Sequence, residues 1–91
     1  MAARKRNIHR GSFKNKAAFE AHLNKWLEKV RELYGDIPRF DLVYFPKGRS
    51  AGWWKYSSYR HTLEFNVEAI ENHFDQMVNE TLPHEISHML D

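Results

Sequence analysis

The sequence predicts a single α+β domain built from a long N-terminal helix, a small three-stranded sheet and a C-terminal helix. Three observations carry that prediction. Apolar residues recur at helical spacing over residues 15–34. Short runs rich in aromatic and β-branched residues, separated by turn residues, occupy positions 40–65. Helical spacing then returns from Val78 to the end. The 91 residues leave room for one compact domain, and a composition 42% apolar and 29% charged belongs to a chain that folds.

The first helix is expected from Asn15 to Tyr34. Phe19, Leu23, Trp26, Val30 and Leu33 follow one another at steps of four, three, four and three, which makes one amphipathic stripe. Ser12 or Asn15 is placed to cap its start, Gly35 suits a left-handed terminating residue, and Pro38 prevents continuation. Phe40 to Phe45 reads as the first strand, ended by the turn residues Pro46 to Ser50. A second strand is expected over Gly52 to Tyr56 and a third over His61 to Phe65, joined across Ser57 and Ser58. Asn66 offers an N-cap for a short helix through about His73. Val78, Leu82, Ile86 and Met89 then continue at helical spacing; Pro83 either opens a short helix or kinks a longer one that began near Asp75.

The charge is split along the chain. Residues 1–16 carry Arg4, Lys5, Arg6, Arg10, Lys14 and Lys16 with no acid, whereas residues 17–91 hold eight basic and twelve acidic side chains. The sequence therefore divides into a basic, flexible arm (1–16) and a folded core (17–91). Six cations in one strip suit nucleic-acid phosphates, and they equally suit a solvated tail. No uninterrupted apolar run exceeds the four residues Leu42 to Phe45, far short of the roughly 20 that span a bilayer, so no membrane contact is expected. The charged N-terminus is not followed by the apolar run of a secretory signal, which favours an intracellular setting. The absence of cysteine excludes disulfides, thiolate zinc sites and a cysteine nucleophile, leaving His, Asp and Glu as metal ligands.

In the middle of the chain Trp53, Trp54, Tyr56 and Tyr59 lie among Lys47, Arg49, Lys55 and Arg60. Aromatic faces and cations together can stack unpaired bases and follow a nucleic-acid backbone. Strand alternation places Trp53 and Lys55 on one side and Trp54 and Tyr56 on the other, so one tryptophan is expected in the core. Trp53 and Lys55 are the candidate nucleic-acid contacts. Were Gly52 to Tyr56 the sheet edge beside the C-terminal helix, its backbone could hold an extended peptide by strand addition.

The chemistry lies at the C-terminus. His84-Glu85-Ile86-Ser87-His88 fits H-E-x-x-H, which places two imidazoles one helical turn apart where both can reach one ion. A zinc ion takes nitrogen donors at about 2.0–2.1 Å, and Glu85, offset from the pair, is placed to act as general base and acid on a water rather than as a ligand. The same pattern on a surface helix would be two solvated histidines and a solvated acid.

Thr81 to Leu90, preceded by Ser50-Ala51-Gly52-Trp53-Trp54-Lys55-Tyr56 and then by Leu63-Glu64-Phe65-Asn66, resembles the SprT-like family of zinc metalloproteases, the group of Spartan-type protease domains. An Ala-Gly ahead of an aromatic strand, a strand ending in Leu-x-x-Asn and a Pro-His-Glu helix recur there in this order, so the likeness covers roughly residues 17–91. The resemblance implies a zincin-like core of helix, sheet and helix with Zn2+ on His84 and His88 and Glu85 as catalytic acid and base. It also implies DNA-dependent cleavage of proteins held on DNA, as in DNA–protein crosslink repair.

One departure from the family's pattern stands out. Its members take a third zinc ligand from a histidine well downstream of the motif, and only three residues follow His88 here. Asp91 shares the face of His84 but sits about 10 Å further along the helix axis. His9, His22, His61 and His73 are the other histidines, with His22 and His73 expected at ordinary surface or boundary positions. The expectation is thus a fragment, or a natural truncation, of a longer protease, inactive alone. The alternative is a non-catalytic DNA-binding or interaction module that keeps the scaffold.

Overall fold

Periodicity sets the first helix. In the computed structural model, which describes residues 8–90, α1 spans Lys16–Tyr34 and buries Phe19, Leu23, Leu27 and Val30, with Trp26 half-buried beside them. The stripe therefore turns through Leu27 and does not reach Leu33, which is 69% exposed. Steps of four, four and three keep the buried side aimed at the sheet, and the last turn carries Leu33 and Tyr34 beyond it into solvent. Neither expected cap forms at the start. Asn15 occupies the N-cap position in a left-handed conformation (φ 72°) with no side-chain cap bond; its amide instead donates to the Ile70 carbonyl at 3.4 Å. Gly35 ends the helix at φ 88°, ψ −146°, a positive-φ conformation that suits glycine but is not the left-handed helical one the sequence suggested; its N–H donates to the Arg31 carbonyl at 2.9 Å.

The sheet comprises β1 (Phe40–Phe45), β2 (Gly52–Ser57) and β3 (Arg60–Asn66) in the order β1-β3-β2. β1 runs parallel to β3, from Phe40 opposite His61 to Phe45 opposite Asn66, and β2 runs antiparallel to it. The hairpin turns at Ser58 and Tyr59, one residue later than the sequence suggested, because Ser57 still pairs with Arg60. Both turn residues have positive φ (53° and 64°), the handedness that matches strand twist in a two-residue loop. Register places Leu42, Tyr44, Leu63, Phe65 and Trp54 on one face, where the helices pack, and Val43, Phe45, Glu64, Trp53 and Lys55 on the other. Gly52 is required by contact: a Cβ there would lie 2.8 Å from the Phe65 ring and 2.9 Å from the Glu64 carbonyl oxygen.

Asn66 caps the next helix, α2 (Val67–Asn72), as its sequence position predicts. Its side-chain oxygen accepts the Ala69 N–H at 3.3 Å, while its amide donates to the carbonyls of Gly48 and Ser50 at 3.1 and 3.0 Å. A second helical run follows without a break: α3 (Phe74–Gln76), a π-helical segment (Met77–Thr81) and α4 (Leu82–Leu90). Pro83 thus lies inside a longer helix, and the π segment is how the helix accommodates it. The Leu82 N–H bonds back to Met77, five residues away, and Pro83 has no N–H to offer. That leaves the Val78 carbonyl without a helical partner, and the Trp26 indole N–H from α1 supplies one at 3.0 Å.

The described part of the basic segment lies against the domain. His9 donates its N–H to the Tyr44 carbonyl at 2.8 Å, Lys14 donates its N–H to Glu71 at 3.0 Å, and the Lys16 ammonium stands over the Phe13 and Tyr44 rings. Among the described residues no helix is long and apolar enough to cross a membrane. The molecule is a small α+β domain with its helices on one face of a mixed sheet.

Candidate metal centre

α4 packs against β2, which is an outer strand of the sheet. Ile86 and Met89 are buried under the helix, so the faces at 84 and 88 turn outward. The His84 and His88 rings meet edge to face with centroids 4.5 Å apart, and their Nε2 atoms are separated by 3.1 Å. Two nitrogens bound to one tetrahedral zinc at about 2.0–2.1 Å stand about 3.3 Å apart, so the pair already converges as two ligands of one ion would. At that distance one Nε2 can donate to the other, the tautomer deciding which. The donor set fits two of the three protein ligands that a catalytic zinc takes. Among the described residues no third His, Asp or Glu joins the pair. His22 packs its ring edge against Phe74, His73 is exposed, and Asp91 lies outside the described residues.

Glu85 is turned toward β2, close enough to the two histidines for their charge to act on it. It is 6% exposed, and its carboxylate accepts the backbone N–H of Trp54. Burial pushes its carboxyl above the usual carboxylate range; His84, His88 and the Trp54 amide oppose that shift without cancelling it. The amide is available because alternate residues of an outer antiparallel strand turn their N–H and C=O away from the partner strand. Counting from the Ser57–Arg60 pair that closes the hairpin, Gly52, Trp54 and Tyr56 are the outward-facing ones.

Trp54 touches the site twice more. Its indole lies nearly parallel to the His88 ring (14°, centroids 6.2 Å apart), and its Nε1–H donates to His61 Nδ1 at 3.0 Å. His61, on β3, also packs against the Tyr56 ring. Alternation along β2 separates Trp54 from Trp53 without saying which faces the helices; the bond of Trp54 to His61 and its stack on His88 join three elements and leave no local signal.

The nucleic-acid candidates do not gather on one surface. Trp53 stacks on Phe45 (centroids 5.4 Å apart, 21°), and Lys55 pairs with the buried Glu64 at 3.3 Å, both on the face without helices. Arg10 and Lys16 line a hollow beside β1, and Lys14 donates its N–H to Glu71 on α2. Arg4, Lys5 and Arg6 lie outside the described residues. The fold assembles a basic cleft that no stretch of sequence announces, lined by Arg31, Arg39, Arg60, Tyr59, His61 and Asp41, with Arg60 paired to Asp41 at 3.2 Å.

Comparison of the chain with protein-family models, with curated proteins and with solved structures gave no match.

Proposed function

We propose that this chain is the core of a zinc-dependent endopeptidase of the SprT-like type that acts on proteins associated with DNA. The observation that carries the reading is the convergence of His84 and His88, Nε2 to Nε2 at 3.1 Å, with the buried Glu85 between them on the same helix. His84 and His88 would hold the ion. Bound zinc supplies Lewis acidity and lowers the pKa of a coordinated water to about 7. Glu85 would take a proton from the attacking water and return it to the leaving amine. The outward N–H and C=O groups of β2 beside α4 suit an extended peptide laid along the strand.

Zinc titration of the purified protein tests the ligands. Near-stoichiometric binding lost in both His84→Ala and His88→Ala is expected, and affinity unchanged by either substitution would overturn the assignment. In the full-length enzyme Glu85→Gln should retain zinc and abolish cleavage of a DNA-bound protein; cleavage that survives would remove Glu85 from the mechanism.

A second reading, a non-catalytic DNA-binding or interaction module, draws support from the arginine-lined cleft. It requires DNA binding that persists after chelation and in His84→Ala, yet falls steeply with added salt.

A further inference from the structure

The histidine pair stands on the exposed side of α4, and an unrestrained surface imidazole would sample several orientations. Something must hold His88 if its Nε2 is to face His84. The Trp54 ring does so: a nearly parallel stack lets the imidazole slide but opposes rotation of its plane, and rotation is what would swing Nε2 away. Trp54 is itself fixed at two points. Its indole N–H is spent on His61 Nδ1, which fixes the orientation of the indole, and its backbone is part of β2. The same residue's backbone amide holds the Glu85 carboxylate.

We propose that Trp54 is the positioning residue of this site, orienting the His88 ring through its stacked indole and Glu85 through its backbone N–H, with His61 as the latch on the indole. The inference deepens the metal reading and rests on it for its consequence in zinc affinity, while the ring orientation is tested separately, without metal. Because His61 accepts at Nδ1, its neutral form carries the proton on Nε2. Supporting groups behind metal ligands are commonly worth 10- to 100-fold in affinity.

Three variants separate the contributions. Trp54→Phe keeps a flat ring and the backbone N–H but deletes the bond to His61; His61→Phe deletes the same bond from the other side; Trp54→Ala removes the stack. NMR of the metal-free proteins reads the geometry directly. The His88 ring protons should carry an indole ring-current shift in wild type that disappears in Trp54→Ala, and ring nitrogen spectra should show His61 as the single Nε2–H tautomer in wild type and a mixture in Trp54→Phe. Zinc affinity should fall about 10- to 100-fold in Trp54→Ala and only a few-fold in Trp54→Phe and His61→Phe, with the latter two effects non-additive. Thermal unfolding identifies a variant that has lost its fold, in which case the two conservative substitutions decide. A His88 shift that is the same with and without the indole overturns the proposal, as does an affinity loss that follows stability alone across the three variants. Wild-type protein that shows the ring-current shift but binds no zinc supports the orientation and counts against the metal reading.

Discussion

Tyr44 brings a hydroxyl into the core at 6% exposure, and the group is satisfied by donating to Glu20 at 2.7 Å. Burial, then the Glu20 bond and charge, hold the phenol far above its usual range of about 10. Above that range the unfolded chain gives up the proton while the folded chain keeps it, so the folded state binds more protons and stability falls as pH rises. Tyr44→Phe should cost about 1–2 kcal/mol at neutral pH through the lost hydrogen bond. Its deficit should shrink as pH climbs through about 9 to 11, because only wild type has a phenol to ionise at this position on unfolding. Urea denaturation of both proteins across that range checks this, and parallel pH profiles would refute it. At this scale the sequence disclosed the residues that lie on one regular element: H-E-x-x-H on one helix, and Trp53 and Trp54 on opposite sides of a strand, though not which of them faces the helices. It did not disclose Tyr44 with Glu20 or Trp54 with His61, since those bonds depend on how elements meet.

The helix ending in the histidine pair shows how one residue shapes an element. Pro83 was visible in the sequence as a break or a kink, and periodicity alone could not distinguish the two. The structure does neither cleanly; it widens one turn and hands the spare Val78 carbonyl to Trp26. Trp26→Phe keeps most of the apolar contact but deletes the donor, so it should destabilise by about 1–3 kcal/mol. In a Pro83→Ala background the loss should be smaller, because alanine restores an N–H that can reach Val78. Chemical denaturation of the four proteins forms the cycle, and additive effects would sink this account. The elements themselves were legible because each carries its own period, and the boundaries moved by a residue or two where contacts intervened. Leu33 was misplaced because a helical stripe does not say where the sheet beneath it ends.

For the whole molecule, the sequence indicated three strands but not their order, which no local pattern encodes. β3 is the central strand, joined to β2 by a two-residue turn, whereas its pairing with β1 spans 21 positions from Phe40 to His61. Only two of the three ligand positions that the metal reading needs are present among the described residues, and this too is decided by the assembly and not by any one segment. The parallel pair has a consequence in time. A hairpin closes in roughly microseconds, but β1 has nothing to lie against until β3 is in place, and the larger loop costs more entropy to close. Leu63→Ala should therefore slow refolding, while Val43→Ala should chiefly hasten unfolding, a contrast that stopped-flow mixing resolves. The order of assembly thus reverses the order of synthesis: the strand the ribosome makes first is the last to dock.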